Sequence, residues 1–89
     1  MKLKYKFVVK NVAGNPVAVA VGQDNERFNG MIKLNNTGEV IFNLLNKGED
    51  ITIEEIVAIL TEKYDVAAND AFQAASEFID TLDKSGLID

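Results

Sequence analysis

Hydrophobic and polar positions alternate along residues 4–12, where Tyr5, Phe7 and Val9 share one parity and Lys4, Lys6 and Lys10 the other. A period of two marks a half-buried strand. Ala13-Gly14-Asn15-Pro16 interrupts it, and Gly14 and Asn15 tolerate the positive φ of a tight turn. Val17, Val19 and Val21 then alternate with Ala18 and Ala20, which predicts a second strand and hence a hairpin. Gly22 to Glu26 is polar and breaks the pattern. Phe28 to Leu34 reads as a third strand, with Phe28, Gly30, Ile32 and Leu34 on one face and Asn29, Met31 and Lys33 on the other. If the first set turns to the core, Met31 and Lys33 lie outside. Gly30 marks a bulge or a point of close backbone approach.

From Asn35 the period lengthens to that of a helix. Asn35 or Asn36 can cap its start, Val40, Ile41, Leu44 and Leu45 supply its apolar face, and Gly48 stops it. Thr52 and Glu55 form a capping box, in which hydroxyl and carboxylate each satisfy a backbone N–H that the helix leaves unpaired. The helix behind it buries Ile56, Val57, Leu60 and Tyr64. A third helix begins at Asn69 or Asp70, runs its core line through Phe72, Ala75, Ile79 and Leu82, and ends at Gly86, after which Leu87 and Ile88 fold back. Ala71, Ala74 and Phe78 make a neighbouring line, which reads either as a shallow groove or as a wider core face. Three strands followed by three helices predict an α+β fold, winged helix-turn-helix-like, with a three-stranded antiparallel sheet covered by helices on one side.

At 89 residues the chain fits one domain spanning 1–89, and a hydrophobic fraction of 47% supplies a modest core. The longest apolar stretch, Pro16 to Val21, is far too short to cross a bilayer, and no secretory apolar segment follows the first lysines. A cytoplasmic location with no membrane partner is expected.

Chemistry is scarce. Without cysteine or histidine, the chain lacks disulfides, thiolate nucleophiles and the commonest general base and metal ligand. The carboxylate pairs Glu49/Asp50 and Glu54/Glu55 sit at helix entrances, where they complement the macrodipole. Asp24-Asn25-Glu26 is too sparse for a hard-metal loop, and the glycines lack phosphate-cradling spacing. An acyl carrier would need a serine at a helix start, whereas Ser76 is mid-helix and Ser85 at a helix end. No catalytic residue, metal site or cofactor is expected.

Charge then separates the binding classes. Residues 1–33 hold six basic side chains against two acids, a net +4, and residues 34–89 hold three against twelve, a net −9, which together give the chain its −5. A recognition helix for DNA must neutralise phosphates. The second and third helices instead carry Glu54, Glu55, Glu62, Asp70, Glu77, Asp80 and Asp83 against Lys63 and Lys84. DNA is disfavoured, although a winged-helix regulator stays as the alternative, with a general protein-interaction module behind it.

Residues 28–64 carry a distinctive order of short motifs: Leu34-Asn35-Asn36-Thr37-Gly38, then Ile41-Phe42-Asn43-Leu44-Leu45, then Thr52-Ile53-Glu54-Glu55-Ile56. The chain closes on Leu82-Asp83-Lys84-Ser85-Gly86-Leu87-Ile88. Each motif is unspecific alone, but their order and spacing resemble the PqqD-like family, strongly from Phe28 onward and weakly before it. That resemblance implies a non-catalytic recognition element for the precursors of ribosomally made, modified peptides, a peptide chaperone for its enzyme. The leader peptide would add as a further strand beside the third strand, in a cleft against the third helix. The enzyme partner would be a radical S-adenosylmethionine protein or another peptide-modifying enzyme, and the cofactor would belong to it.

Carried onto this chain, the peptide-binding strand is Phe28, Asn29, Gly30, Met31, Ile32, Lys33 and Leu34. The opposing helix contributes Ala71, Ala74, Ala75, Phe78 and Leu82. An edge strand offers unpaired backbone groups to a visitor, and side-chain pockets then choose its sequence. Proline at Gly30 or Ile32 is expected to weaken capture by removing a ladder donor. The same free edge makes a homodimer possible.

Overall fold

The computed structural model describes residues 1–22 and 30–89. The expectations placed on residues 23–29, including Phe28, Asn29 and the Asp24-Asn25-Glu26 segment, lie outside it. Strands β1 (Phe7–Val12), β2 (Asn15–Ala20) and β3 (Met31–Lys33) form an antiparallel sheet in the order β1-β2-β3. Helices α1 (Asn36–Leu45), α2 (Ile53–Lys63) and α3 (Ala68–Lys84) follow. This is the expected α+β order.

The hairpin turn is tighter than the sequence suggests. Positive φ falls on Ala13 (53°) and Gly14 (82°), while Asn15 is already paired with Val12. Two residues with φ above zero twist as the flanking strands do, which is why two-residue hairpins favour this geometry.

Pairing sets which residues face inward. Phe7 lies opposite Ala20 and Val9 opposite Ala18, and Ala18 lies opposite Ile32. The alanines of β2 therefore face the helices and its valines face outward. Small Ala18 and Ala20 let Phe42 of α1 approach the sheet, where its ring meets Phe7 edge-on at 5.2 Å between centroids. Ile41, Leu45, Ile56, Leu60, Leu82 and Leu87 complete the core.

The helix ends follow their caps. The Asn35 side chain accepts from the Gly38 N–H at 2.6 Å, and Thr52 with Glu55 makes the full capping box. At the other end of α3 the Leu87 N–H donates to Leu82 O at 3.0 Å and the Gly86 N–H to Asp83 O at 2.9 Å. With Gly86 at φ 77°, this is a Schellman ending, and it drives Leu87 into the core beside Leu82.

Two expectations for α3 are corrected. It starts at Ala68, capped by backbone alone at Ala67, so neither Asn69 nor Asp70 caps it. Its buried line is Ala71, Ala75 and Leu82 with Phe78 partly buried, whereas Phe72 is 50% exposed. Both lines step by three and four residues and share Ala75 and Leu82. Packing against α2 selects the one with the smaller residue at its start.

Candidate peptide-binding site

Hydrogen-bond phase along the sheet decides which backbone groups a visitor could reach. The Val21 N–H donates to Lys6 O at 3.1 Å and the Leu34 N–H to Pro16 O at 3.0 Å. In an antiparallel ladder, successive residues turn their N–H and C=O groups to opposite sides. Ile32, opposite Ala18, therefore turns toward β2. Met31 and Lys33 turn theirs to the open side, where no described residue bonds to them. Proline at Ile32 would thus attack the internal ladder; the donors offered outward belong to Met31 and Lys33.

The side chains divide as expected. Met31 is 59% exposed and Lys33 is exposed, on the outer face, while Ile32 is half-buried and Leu34 buried on the inner face. Of the two readings of Gly30, a bulge or a close approach, no described residue makes the second, because a Cβ built there meets none within 4 Å.

The opposite edge of the sheet is engaged at its start. The Asn46 side chain donates from Nδ2 to Phe7 O at 2.8 Å and accepts from the Phe7 N–H at 3.4 Å. Just before β1, the Lys4 N–H donates to Leu87 O at 2.8 Å and the Asp89 N–H to Lys2 O at 2.9 Å. Nothing in the motif reading singles out Asn46. Its partner is 39 positions away, and no local pattern signals that contact.

Where β3 ends, a line of recesses begins. Asn35, Thr37, Gly38, Ile41, Ala74 and Phe78 enclose a small cavity of about 60 Å³. Thr37 and Ala74 also border a larger one of about 320 Å³, which continues over Leu60, Ala71, Tyr64, Val66 and Asp70. Phe78 can lie this deep because Gly38 has no side chain: a Cβ on Gly38 would sit 3.1 Å from the Phe78 ring. Phe78 and exposed Ala74 thus form a furrow wall, and Ala71 lines its far part. Ala75 (0% exposed) and Leu82 (2%) are correspondingly withdrawn from the cleft; they are core and offer a visitor no surface.

A roomier recess of about 500 Å³ lies by the start of β1, ringed by Lys2, Lys4, Lys6 and Lys47. Among the described residues, no group of three or more carboxylates could hold a metal ion, and no helix is long and apolar enough to cross a membrane.

Three strands followed by three helices, with a sheet edge that no described residue pairs and that leads toward a furrow beside the last helix, define the class as an α+β fold. The family model described as Coenzyme PQQ synthesis protein D (PqqD) matches residues 13–88, and the chain belongs to that family. Two solved structures share its fold. TbiB1 in complex with the TbiA(beta) leader peptide matches with a TM-score of 0.73 at 22% identity, covering 100% of this chain and 95% of the other. Lasso peptide synthetase B1 complexed with the leader peptide matches with a TM-score of 0.68 at 21% identity, covering 97% and 93%. A comparison with curated proteins finds no match.

Proposed function

We propose that this chain, as one domain over 1–89, binds the leader region of a ribosomally made precursor peptide as a fourth strand beside β3. It thereby presents the peptide to a modifying enzyme, a radical S-adenosylmethionine protein in the favoured case. The observation that carries this reading is the β3 edge beside the furrow: the outward backbone groups of Met31 and Lys33 have no described partner, and the strand ends where the recess along Ala74 and Phe78 begins. Strand addition gains main-chain hydrogen bonds from any sequence, and the furrow along Ala74 and Phe78 adds selectivity. Membership of the PqqD family supports the reading, as do two fold neighbours whose structures are complexes with leader peptides. The role is non-catalytic and cytoplasmic, and pairing of two β3 edges in a homodimer would compete with the peptide.

The experiment is titration of the isotopically labelled chain with a peptide encoded beside its gene, followed by amide NMR. Shifts gathered on residues 31–34, 74 and 78 are expected. Shifts elsewhere on the surface, with β3 unmoved, would refute strand addition. The second reading, a DNA-binding regulator, draws on the lysines around the 500 Å³ recess. It requires that duplex DNA shift residues 2–10 in a salt-sensitive manner.

A further inference from the structure

Side chains on the outer face of the sheet stand in cross-strand rows. Val8 lies opposite Val19, which lies opposite Met31; Lys10 lies opposite Val17, which lies opposite Lys33. Val17 is only 3% exposed between the two lysines, and β1, β2 and β3 contain no acidic residue. The described acids all lie from Glu39 onward, outside the sheet. One row is therefore apolar and the next basic, and both stop at the open edge.

We infer that this edge selects its peptide by charge register: the peptide residue opposite Lys33 is Asp or Glu, and the residue opposite Met31 is apolar. The inference rests on the strand-addition reading above. A visitor that pairs antiparallel, as every strand of this sheet does, becomes the next member of both rows. Its residues opposite Met31 and Lys33 exchange hydrogen bonds with the outward-turned backbone, and their side chains emerge on the outer face. The residue between them, opposite Ile32, turns inward. Read from its N-terminus, the captured segment is acid, any inward-fitting residue, then an apolar residue. An acid at the first position meets Lys33 directly, with Lys10 in the same row. A lysine or arginine there would be opposed by like charge.

The test is a displayed library of random twelve-residue peptides, selected in parallel on the full chain and on its Lys33→Glu variant. Enriched peptides are then synthesised, mapped by amide NMR and measured for affinity. Lys33 is exposed, so the variant retains the fold, and Lys33→Gln serves as the charge-neutral control. On the native chain, enrichment of Asp or Glu two positions before an apolar residue is expected. On Lys33→Glu the same position is expected to turn to Lys or Arg, with each peptide preferring its matched protein by about 1.4- to fivefold, the range opposite-charge cross-strand pairs confer. Peptides that shift residues 31–34 without charge bias, or with a bias that Lys33→Glu leaves unchanged, overturn the register and leave strand addition standing. If no enriched peptide touches β3, both fall.

Discussion

The Asn46 side chain lies alongside Phe7 as a further strand would, bonding its C=O at 2.8 Å and its N–H at 3.4 Å. A three-stranded sheet has two edges, and each is a template for unwanted pairing. In this chain one edge is held at its first residue by an amide placed just after α1, and on the other no described residue bonds outward at Met31 and Lys33.

Removing that amide is therefore expected to open a second edge. Asn46→Leu removes both side-chain bonds to the Phe7 backbone, at a cost of about 1–3 kcal/mol. Sedimentation velocity should show concentration-dependent association absent from the native chain. An unchanged monomer of unchanged stability would mean that Asn46 guards nothing.

Ladder phase yields a sharper proline experiment. Met31→Pro removes an outward donor and keeps the β2–β3 bonds, a position where edge strands accept proline. It is expected to weaken peptide capture at least severalfold, with the circular dichroism melt little changed. Ile32→Pro removes a bond to β2 and should lower stability itself. Equal effects of the two on the melt would contradict the phase.

Ala13 holds a φ of 53°, which costs a non-glycine residue about 1 kcal/mol. Asn-Gly is the preferred pair for such a turn. Ala13→Asn is accordingly expected to stabilise the chain by about 0.5–1 kcal/mol, raising Tm by roughly 2–8 °C for a domain of this size. A fall in Tm would show that the turn is not strained.

Gly38→Ala tests the furrow wall. Alanine favours a helix over glycine by about 1 kcal/mol, yet its methyl would stand 3.1 Å from the Phe78 ring and 3.0 Å from the capping oxygen of Asn35. Phe78 must swing away. The expected outcome is loss of peptide affinity together with a stability gain smaller than helix propensity alone provides. Unaltered affinity would separate Phe78 from recognition.

Leu82 supports the same helix from below. Leu82→Ala is expected to cost about 2–5 kcal/mol, read from urea unfolding. A cost below 1 kcal/mol would be inconsistent with its burial.

Much of the architecture was legible in the residues because the signals are local. Asn35, the Thr52–Glu55 pair and Gly86 end their helices through contacts within four positions, and the period of two around Phe7 marks β1 directly. What escaped depends on pairing between distant segments. Val17 and Ala18 both fit a strand, and only the register shows that the alanine faces the helices. The choice between Phe72 and Ala71 as the buried start of α3 needed the position of α2. At the candidate site, Met31 and Lys33 could be placed outside from parity alone. Which backbone donors point outward, and which of Ala74, Ala75, Phe78 and Leu82 stay reachable, required the ladder phase and the depth of the core.

The backbone bonds joining Lys2 to Asp89 and Lys4 to Leu87 bring both ends of the polypeptide to one spot, beside the start of β1. Strands are spaced about 4.8 Å apart, so that spot lies about 10 Å across the sheet from β3. Loosening of that terminal pairing would leave the bonds that hold β3 to β2 in place.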